Sequence, residues 1–206
     1  PIGFTILAEC LERDGFRVRI VNLAVSMMKG GDFAVEPFLQ RLRPKAFGID
    51  LHWMPHAHGS LAVASLLKKM HPDIPVIFGG FSSTYFHEEL VARPEVDYVL
   101  RGDSTEEPMR LLMRFISGPR GKGEVPAEIP NLTWKNPAAE VQVNPLTYIP
   151  PNLDHVRLDY SQVVRSVVRN RDLGGPLPFI DWLRYPIMAA LSCRGCACRC
   201  RTCGGS

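Results

Sequence analysis

Pro75-Val-Ile-Phe-Gly-Gly-Phe-Ser-Ser-Thr-Tyr-Phe-His-Glu-Glu-Leu-Val-Ala92 is a short apolar run, a glycine pair and a helix-forming stretch in succession. An uninterrupted apolar run bounded by proline and glycine reads as a strand buried on both faces. Pro75–Gly80 is that strand and Thr84–Ala92 the helix after it. The same unit recurs on either side. Upstream, Ala46–Trp53 reads as a buried strand and Ser60–Met70 as a helix ended by His71-Pro72. Downstream, Asp97–Gly102 reads as a strand and Glu106–Ser117 as a helix. Strict alternation with short links predicts an α/β fold: a Rossmann-like (flavodoxin-like) parallel sheet with helices on both faces.

Toward the N-terminus, Phe4, Leu7, Ala8 and Leu11 recur at helical spacing, so residues 2–13 read as an amphipathic helix ended by Asp14-Gly15. Arg17–Leu23 alternates apolar and basic residues and reads as a strand, and Ala34–Leu42 as a short helix stopped before Pro44. Right-handed crossovers place a strand before the first helix. The chain begins at Pro1 with that helix, so the first strand is expected to be missing, leaving four parallel strands of five. An order such as 3-2-1-4-5 puts the missing strand in the centre. Beyond a glycine-rich break at residues 118–123, Asn131–Lys135 and Glu140–Asn144 form a candidate hairpin around Asn136-Pro137. A proline-rich connector follows, with one helix near Tyr160–Arg169, and then the apolar run Ile187–Leu191, which reads as the first strand of another α/β unit. The expected organisation is a sheet domain over 1–118, a hairpin and linker over 119–186, and the start of a further domain over 187–206. The chain stops three residues after its last cysteine, so both ends are expected to be cut.

Hydrophobic residues are 46% and charged residues 22%, ordinary for a globular protein. The net charge of +3, with basic residues scattered, gives no argument for nucleic acid as a partner. No apolar run approaches the ~20 residues of a membrane span, and no signal-peptide pattern is present. The composition fits a reducing cytoplasm, where free thiols persist.

Five of the six cysteines lie in the last fourteen residues, three of them as Cys196-x-x-x-Cys200-x-x-Cys203. Three thiolates on one tight loop can each take one iron of a cubane cluster and leave the fourth iron open. A zinc site built from Cys193-x-x-Cys196 and Cys200-x-x-Cys203 would have three residues between its pairs, whereas zinc modules separate them by about a dozen or more. Disulfide frameworks spread their cysteines along small secreted chains, and here residues 11–192 contain none. Cys10 sits in the apolar stripe of the first helix and reads as a core residue. Arg194, Arg199 and Arg201 could offset the negative charge of a thiolate-ligated cluster.

In doubly wound sheets, ligands sit beyond the carboxyl ends of the strands. Those ends carry Asp50-Leu-His-Trp-Met-Pro-His-Ala-His-Gly59, Gly79-Gly-Phe-Ser-Ser83 and Arg101-Gly-Asp-Ser104. The candidate contacts are Leu51, His52 and Trp53 from the first loop, Gly79, Gly80, Phe81, Ser82 and Ser83 from the second, and Gly102 and Asp103 from the third. The glycine pair lets backbone approach a ligand closely. The Ser82 and Ser83 hydroxyls and the following helix N-terminus offer partners for polar or anionic groups. Asp103 and Ser104 also read as helix caps. His52, His56 and His58 lack a matching carboxylate pattern for a metal and read as loop residues that hydrogen-bond or contact a ligand.

The string Ser192-Cys-Arg-Gly-Cys-Ala-Cys-Arg-Cys-Arg-Thr-Cys-Gly-Gly-Ser206 resembles the cluster loop of radical S-adenosylmethionine (radical SAM) enzymes. The resemblance implies that Cys196, Cys200 and Cys203 hold a 4Fe–4S cluster whose open iron chelates SAM, with Gly204 and Gly205 beside it. It departs from that family at Thr202, where an aromatic residue is more frequent, and in the extra Cys193 and Cys198. Residues 2–117 resemble the cobalamin-binding domain that precedes the radical SAM barrel in one enzyme subgroup. The likeness is carried by Pro1-Ile-Gly-Phe with Leu7-Ala8, by Gly15, by the loop at His52-Trp53, by Val76-Ile-Phe-Gly-Gly80 and by Asp97-Tyr-Val-Leu-Arg-Gly-Asp103. It implies a corrin lying flat over the strand ends, with the nucleotide tail, when base-off, threading past the glycine loop. His52 is not assigned as a cobalt ligand. Asp50-Leu-His52 follows the second strand present rather than the first, and Pro55 replaces the glycine of Asp-x-His-x-x-Gly.

The resemblance thus implies a fragment of a cobalamin-binding radical SAM enzyme, a methyltransferase or a catalyst of other radical chemistry, inactive without the rest of its barrel. Its cofactors would be cobalamin, a 4Fe–4S cluster and SAM, its partner an electron donor such as flavodoxin or ferredoxin, and its substrate is not legible. Two other readings of the same residues stand beside it. One is a flavodoxin-like module with an electron-transfer or sensing cluster, its fourth ligand from Cys193 or Cys198. The other is a zinc-stabilised interaction protein.

Overall fold

The structure is a computed structural model that describes residues 2–29, 33–119, 125–152, 154, 156 and 160–187. In chain order the helices and strands are α1 (Ile2–Arg13), α2 (Leu23–Met28), α3 (Val35–Gln40), β1 (Phe47–Asp50), α4 (Ala57–Met70), β2 (Val76–Gly79), α5 (Phe81–Tyr85), α6 (His87–Val91), β3 (Tyr98–Leu100), α7 (Glu106–Ser117), β4 (Leu132–Lys135), β5 (Val141–Val143) and α8 (Ser161–Asn170). The described residues divide into two compact units, one of those up to residue 38 together with those from 152 onward, and one of those between 39 and 151.

The second unit holds the sheet, five strands in the order β1-β2-β3-β4-β5. β1, β2 and β3 are parallel, with Asp50 level with Gly79 and Phe78 level with Val99. β4 and β5 are antiparallel additions, Leu100 facing Leu132 and Trp134 facing Gln142. The sheet is therefore α/β and parallel-dominated, as the alternation predicts. Two particulars differ from the sequence reading. The hairpin is part of the sheet, because Leu132 and Trp134 are buried and β4 completes the open edge of β3. The strands also pair in chain order, whereas 3-2-1-4-5 would hold β1 and β2 apart. Adjacent pairing fits the flavodoxin-like order, in which the third, fourth and fifth strands are neighbours.

The core follows from composition. Val76, Ile77 and Phe78 of β2 are 0%, 2% and 0% exposed. Around them α4 packs on β1 and β2, α5 on β2 and β3, and α6 on β3 and β4. The expected helix over Thr84–Ala92 is two short ones, broken at Phe86 (φ −109°, ψ 36°). Asp97 ties the start of β2 to α4: its carboxylate accepts the Val76 amide at 2.7 Å and pairs with Lys68 at 2.7 Å. In the hairpin, Asn144 accepts the Trp134 indole N–H at 3.0 Å and donates to the Pro126 and Ile129 carbonyls, both at 2.8 Å. These bonds fix where the chain leaves β5.

In the first unit α1 packs against α8. Residues 17–22, read above as a strand, have no regular structure, and Leu23 starts α2. Backbone polar groups must be partnered somewhere, and here side chains and a loop supply the partners. Gln162 and Ser166 of α8 both donate to the Val18 carbonyl, the Asn22 amide donates to the Gly175 carbonyl at 2.7 Å, and the Asn22 side chain caps α2. Arg19 pairs with Asp172 at 2.8 Å. Burial pushes the Asp172 carboxyl up, but the Arg19 guanidinium and the Gly175 amide outweigh it and hold it below the ordinary value. The connector helix is present as α8. Ile187 is not in a strand, and residues 188–191 lie outside the described ones.

Candidate functional site

The loops after β1, β2 and β3 converge at the carboxyl edge of the parallel strands, and backbone bonds lock them together. The Leu51 amide donates to the Gly79 carbonyl at 2.8 Å, extending the β1–β2 ladder by one residue. The Ser83 amide donates to the Leu51 carbonyl, and both the amide and the hydroxyl of Ser82 donate to the His52 carbonyl, at 3.3 and 3.1 Å. The His52 ring packs against Phe81 (centroids 4.4 Å apart) and edge-on to Trp53 (4.8 Å). Thr84 ties in the third loop. Its hydroxyl donates to the Gly80 carbonyl and accepts the Gly102 amide at 2.9 Å. Arg101 extends β3 by donating its amide to the Asn131 carbonyl, and the Asn131 side chain bonds both backbone groups of Tyr148. Residues 144–148 thereby run beside Gly102.

The two glycines of the pair do different work. Gly80 has φ +103°, and a Cβ there would lie 2.6 Å from Asp50 Oδ1 and 2.9 Å from the Leu51 carbonyl. It is glycine because the β1 loop lies against it. Gly79 has no such neighbour: a Cβ would meet nothing within 4 Å. Open space therefore begins at the end of β2, above Gly79. On the first of these loops Trp53 and Met54 are 51% and 50% exposed, a large apolar surface.

Several expected roles change. Ser82 spends its hydroxyl on His52, and Ser83 is fully buried with an unpartnered Oγ. α5 has five residues and its Ser82 and Ser83 amides are engaged by loop carbonyls, so they are not available to an anion. Thr105, without a side-chain bond, occupies the N-cap of α7 in place of Asp103 or Ser104. Leu51 is buried and Gly102 takes φ +96°. His56 and His58 are exposed, and among the described residues no cluster of three or more His, Cys, Asp or Glu could hold a metal. Cys196, Cys200, Cys203, Gly204 and Gly205 lie outside the described residues.

Two residues at this edge escape the sequence pattern. The pattern places Thr84 only in a helix, although a hydroxyl four positions past a glycine pair is placed to bridge loops. Asp50 is absent from the candidate contacts, although an acid closing an apolar strand is a signal in itself. Its carboxyl lies across Gly80, and burial pushes it above the ordinary carboxylate range, with His52 and His56 pulling the other way.

Residues 1–112, more than half of the chain, match the B12 binding domain family. The chain belongs to that family. A curated relative is the hopanoid C-3 methylase of Methylococcus capsulatus, 29% identical over 140 residues, covering 66% of this chain and 26% of the relative. Two solved structures of the radical S-adenosylmethionine methyltransferase TsrM from Kitasatospora setae share the fold. The one with tryptophan and a SAM analogue bound has a TM-score of 0.59 at 20% identity, covering 71% of this chain and 27% of that one. The one with cobalamin and a [4Fe-4S] cluster bound has a TM-score of 0.59 at 18% identity, covering 77% and 28%. The chain therefore spans about a quarter of the length of these relatives.

The strand-end residues fit the cofactor of the family. Cobalamin presents a broad, flat corrin with amide groups on its rim. Open backbone at Gly79 admits close approach, Trp53 and Met54 offer apolar contact, and the half-buried Asp50 carboxyl offers hydrogen-bonding capacity at the same edge.

Proposed function

We propose that this chain is the cobalamin-binding part of a radical SAM methyltransferase, with the corrin over the ends of β1, β2 and β3. The observation that carries the reading is the open backbone at Gly79, inside a B12-family match and beside the exposed Trp53 and Met54. Leu51, His52, Trp53, Gly79, Gly80, Phe81, Ser82, Ser83, Gly102 and Asp103 form the platform. Gly79, Trp53 and Met54 face the ligand, and Leu51, Gly80, Ser82 and Gly102 hold the loops. Bound cobalamin would supply a cobalt centre able to carry a methyl group. The protein's part is to bind the corrin, orient it and exclude water from one face.

The sequence Cys196-x-x-x-Cys200-x-x-Cys203 supports a three-thiolate 4Fe–4S cluster that binds SAM, with Gly204 and Gly205 beside it. The names of the relatives favour methyl transfer. The whole protein would work in a reducing cytoplasm with an external electron donor such as flavodoxin or ferredoxin. Among the described residues, no helix is long and apolar enough to cross a membrane.

Anaerobic reconstitution with iron and sulfide tests the cluster. Cys196→Ala, Cys200→Ala and Cys203→Ala should each abolish the 4Fe–4S absorption, while Cys193→Ala and Cys198→Ala retain it. Retention in Cys203→Ala with loss in Cys193→Ala would overturn the ligand set.

A further inference from the structure

We propose that Asp50 is a binding residue of the strand-end site and accepts a hydrogen bond from an amide arm on the corrin rim. This rests on the cobalamin reading above. Asp50 closes β1 level with Gly79, so its carboxyl stands at the same edge as the open backbone. It is held there from below: the Ser60 hydroxyl bonds the Asp50 carbonyl at 3.2 Å, and the carboxyl lies across Gly80, whose missing side chain makes room for it.

Among the described residues no donor bonds the Asp50 carboxylate; burial pushes its pKa up, and the nearby His52 and His56 pull it down. Asp97 of the same unit is a contrast. It is paired with Lys68 and bonded by the Val76 amide. A half-buried carboxylate bonded by no protein donor keeps its acceptor capacity for water or for a ligand that displaces it. Of the groups cobalamin could bring to this point, the phosphate of the nucleotide tail would be repelled. The neutral N–H of a rim acetamide or propionamide is the matching donor. A carboxylate acceptor makes a stronger bond than a neutral one, and an amide that meets it would be oriented along with the ring that bears it.

The test is a visible-absorption titration of the 206-residue chain and two variants with cobalamin and with cobinamide, which keeps the amide arms and lacks the nucleotide. Asp50→Ala should weaken both ligands equally, by about tenfold, the loss expected of one hydrogen bond to a charged acceptor. Asp50→Asn, which keeps an acceptor oxygen, should lose less. The thermal midpoint of Asp50→Ala should be unchanged or higher, because the substitution leaves no donor unpaired. If Asp50→Ala proves unstable, Asp50→Leu, which has no acceptor and a similar volume, carries the comparison, and wild-type affinity of that variant for both ligands would overturn the proposal. Unchanged affinity in Asp50→Ala, or a loss confined to cobalamin, would overturn it too, the latter because the partner would then be the nucleotide. Failure of the unsubstituted chain to bind either ligand would remove the cobalamin reading itself.

Discussion

Two segments of this chain read alike as strands, and only one is a strand. Val76–Gly79 is apolar at every side chain, pairs on both edges and is buried on both faces. Arg17–Leu23 alternates valine and isoleucine with arginine, and its backbone bonds go to α8 side chains and to Gly175. The difference lies in what satisfies the backbone. A continuous apolar run can be buried only where neighbouring strands take its N–H and C=O groups. An alternating run needs burial on one face only, so it can lie outside a sheet where other groups take its backbone bonds, and here glutamine, serine and a glycine carbonyl do so.

The largest effect should come from the strand that is real. Phe78→Ala removes a fully buried ring from the middle of the parallel strands and should cost about 3–5 kcal/mol. In chemical denaturation it should unfold the sheet unit far below the wild-type midpoint. A loss under 1 kcal/mol would mean that β2 is not the core of this unit.

A smaller effect should separate the glycine pair. Gly80→Ala forces a side chain into φ +103° and onto the Leu51 backbone, a strain of about 1–3 kcal/mol. Equal melting temperatures for Gly80→Ala and wild type would show that the β1 loop does not lie against this turn.

The smallest effect belongs to the segment that is not a strand. Gln162→Ala removes one of two donors to the Val18 carbonyl while Ser166 keeps the other, so the loss should be about 0.5–1.5 kcal/mol. Amide exchange at residues 17–22 would sharpen the comparison. Protection there equal to that of Val76–Gly79 would restore the strand reading.

The legible part of the fold was the part governed by hydrophobic burial. α7 matches its expected bounds, and β1, β2, β3 and α4 lie within a few residues of theirs, because apolar runs and their punctuation carry that information locally. Two things were not local. The attachment of the hairpin to β3 depends on Leu132 and Trp134 finding an edge far back in the chain. The fate of Arg17–Leu23 depends on Gln162 and Ser166, more than 140 residues later. That the three loops meet at the strand ends was readable from topology alone. The division of labour between Gly79 and Gly80 was not, since both satisfy the same pattern and only the backbone angle and the neighbouring loop tell them apart. Ser82 illustrates the same limit: a hydroxyl near a glycine turn reads as a ligand contact, yet it is already bonded to the His52 carbonyl.

The central claim is that the open backbone at Gly79 is where cobalamin comes closest to the protein. Gly79→Val adds a side chain where nothing stands within 4 Å and should leave folding intact by circular dichroism. A visible-absorption titration of the two proteins with cobalamin should show saturable binding by the unsubstituted chain and a loss of about a hundredfold or more in Gly79→Val, a steric exclusion of close to 3 kcal/mol. Equal affinity in the two proteins, or no binding by either, would contradict the account.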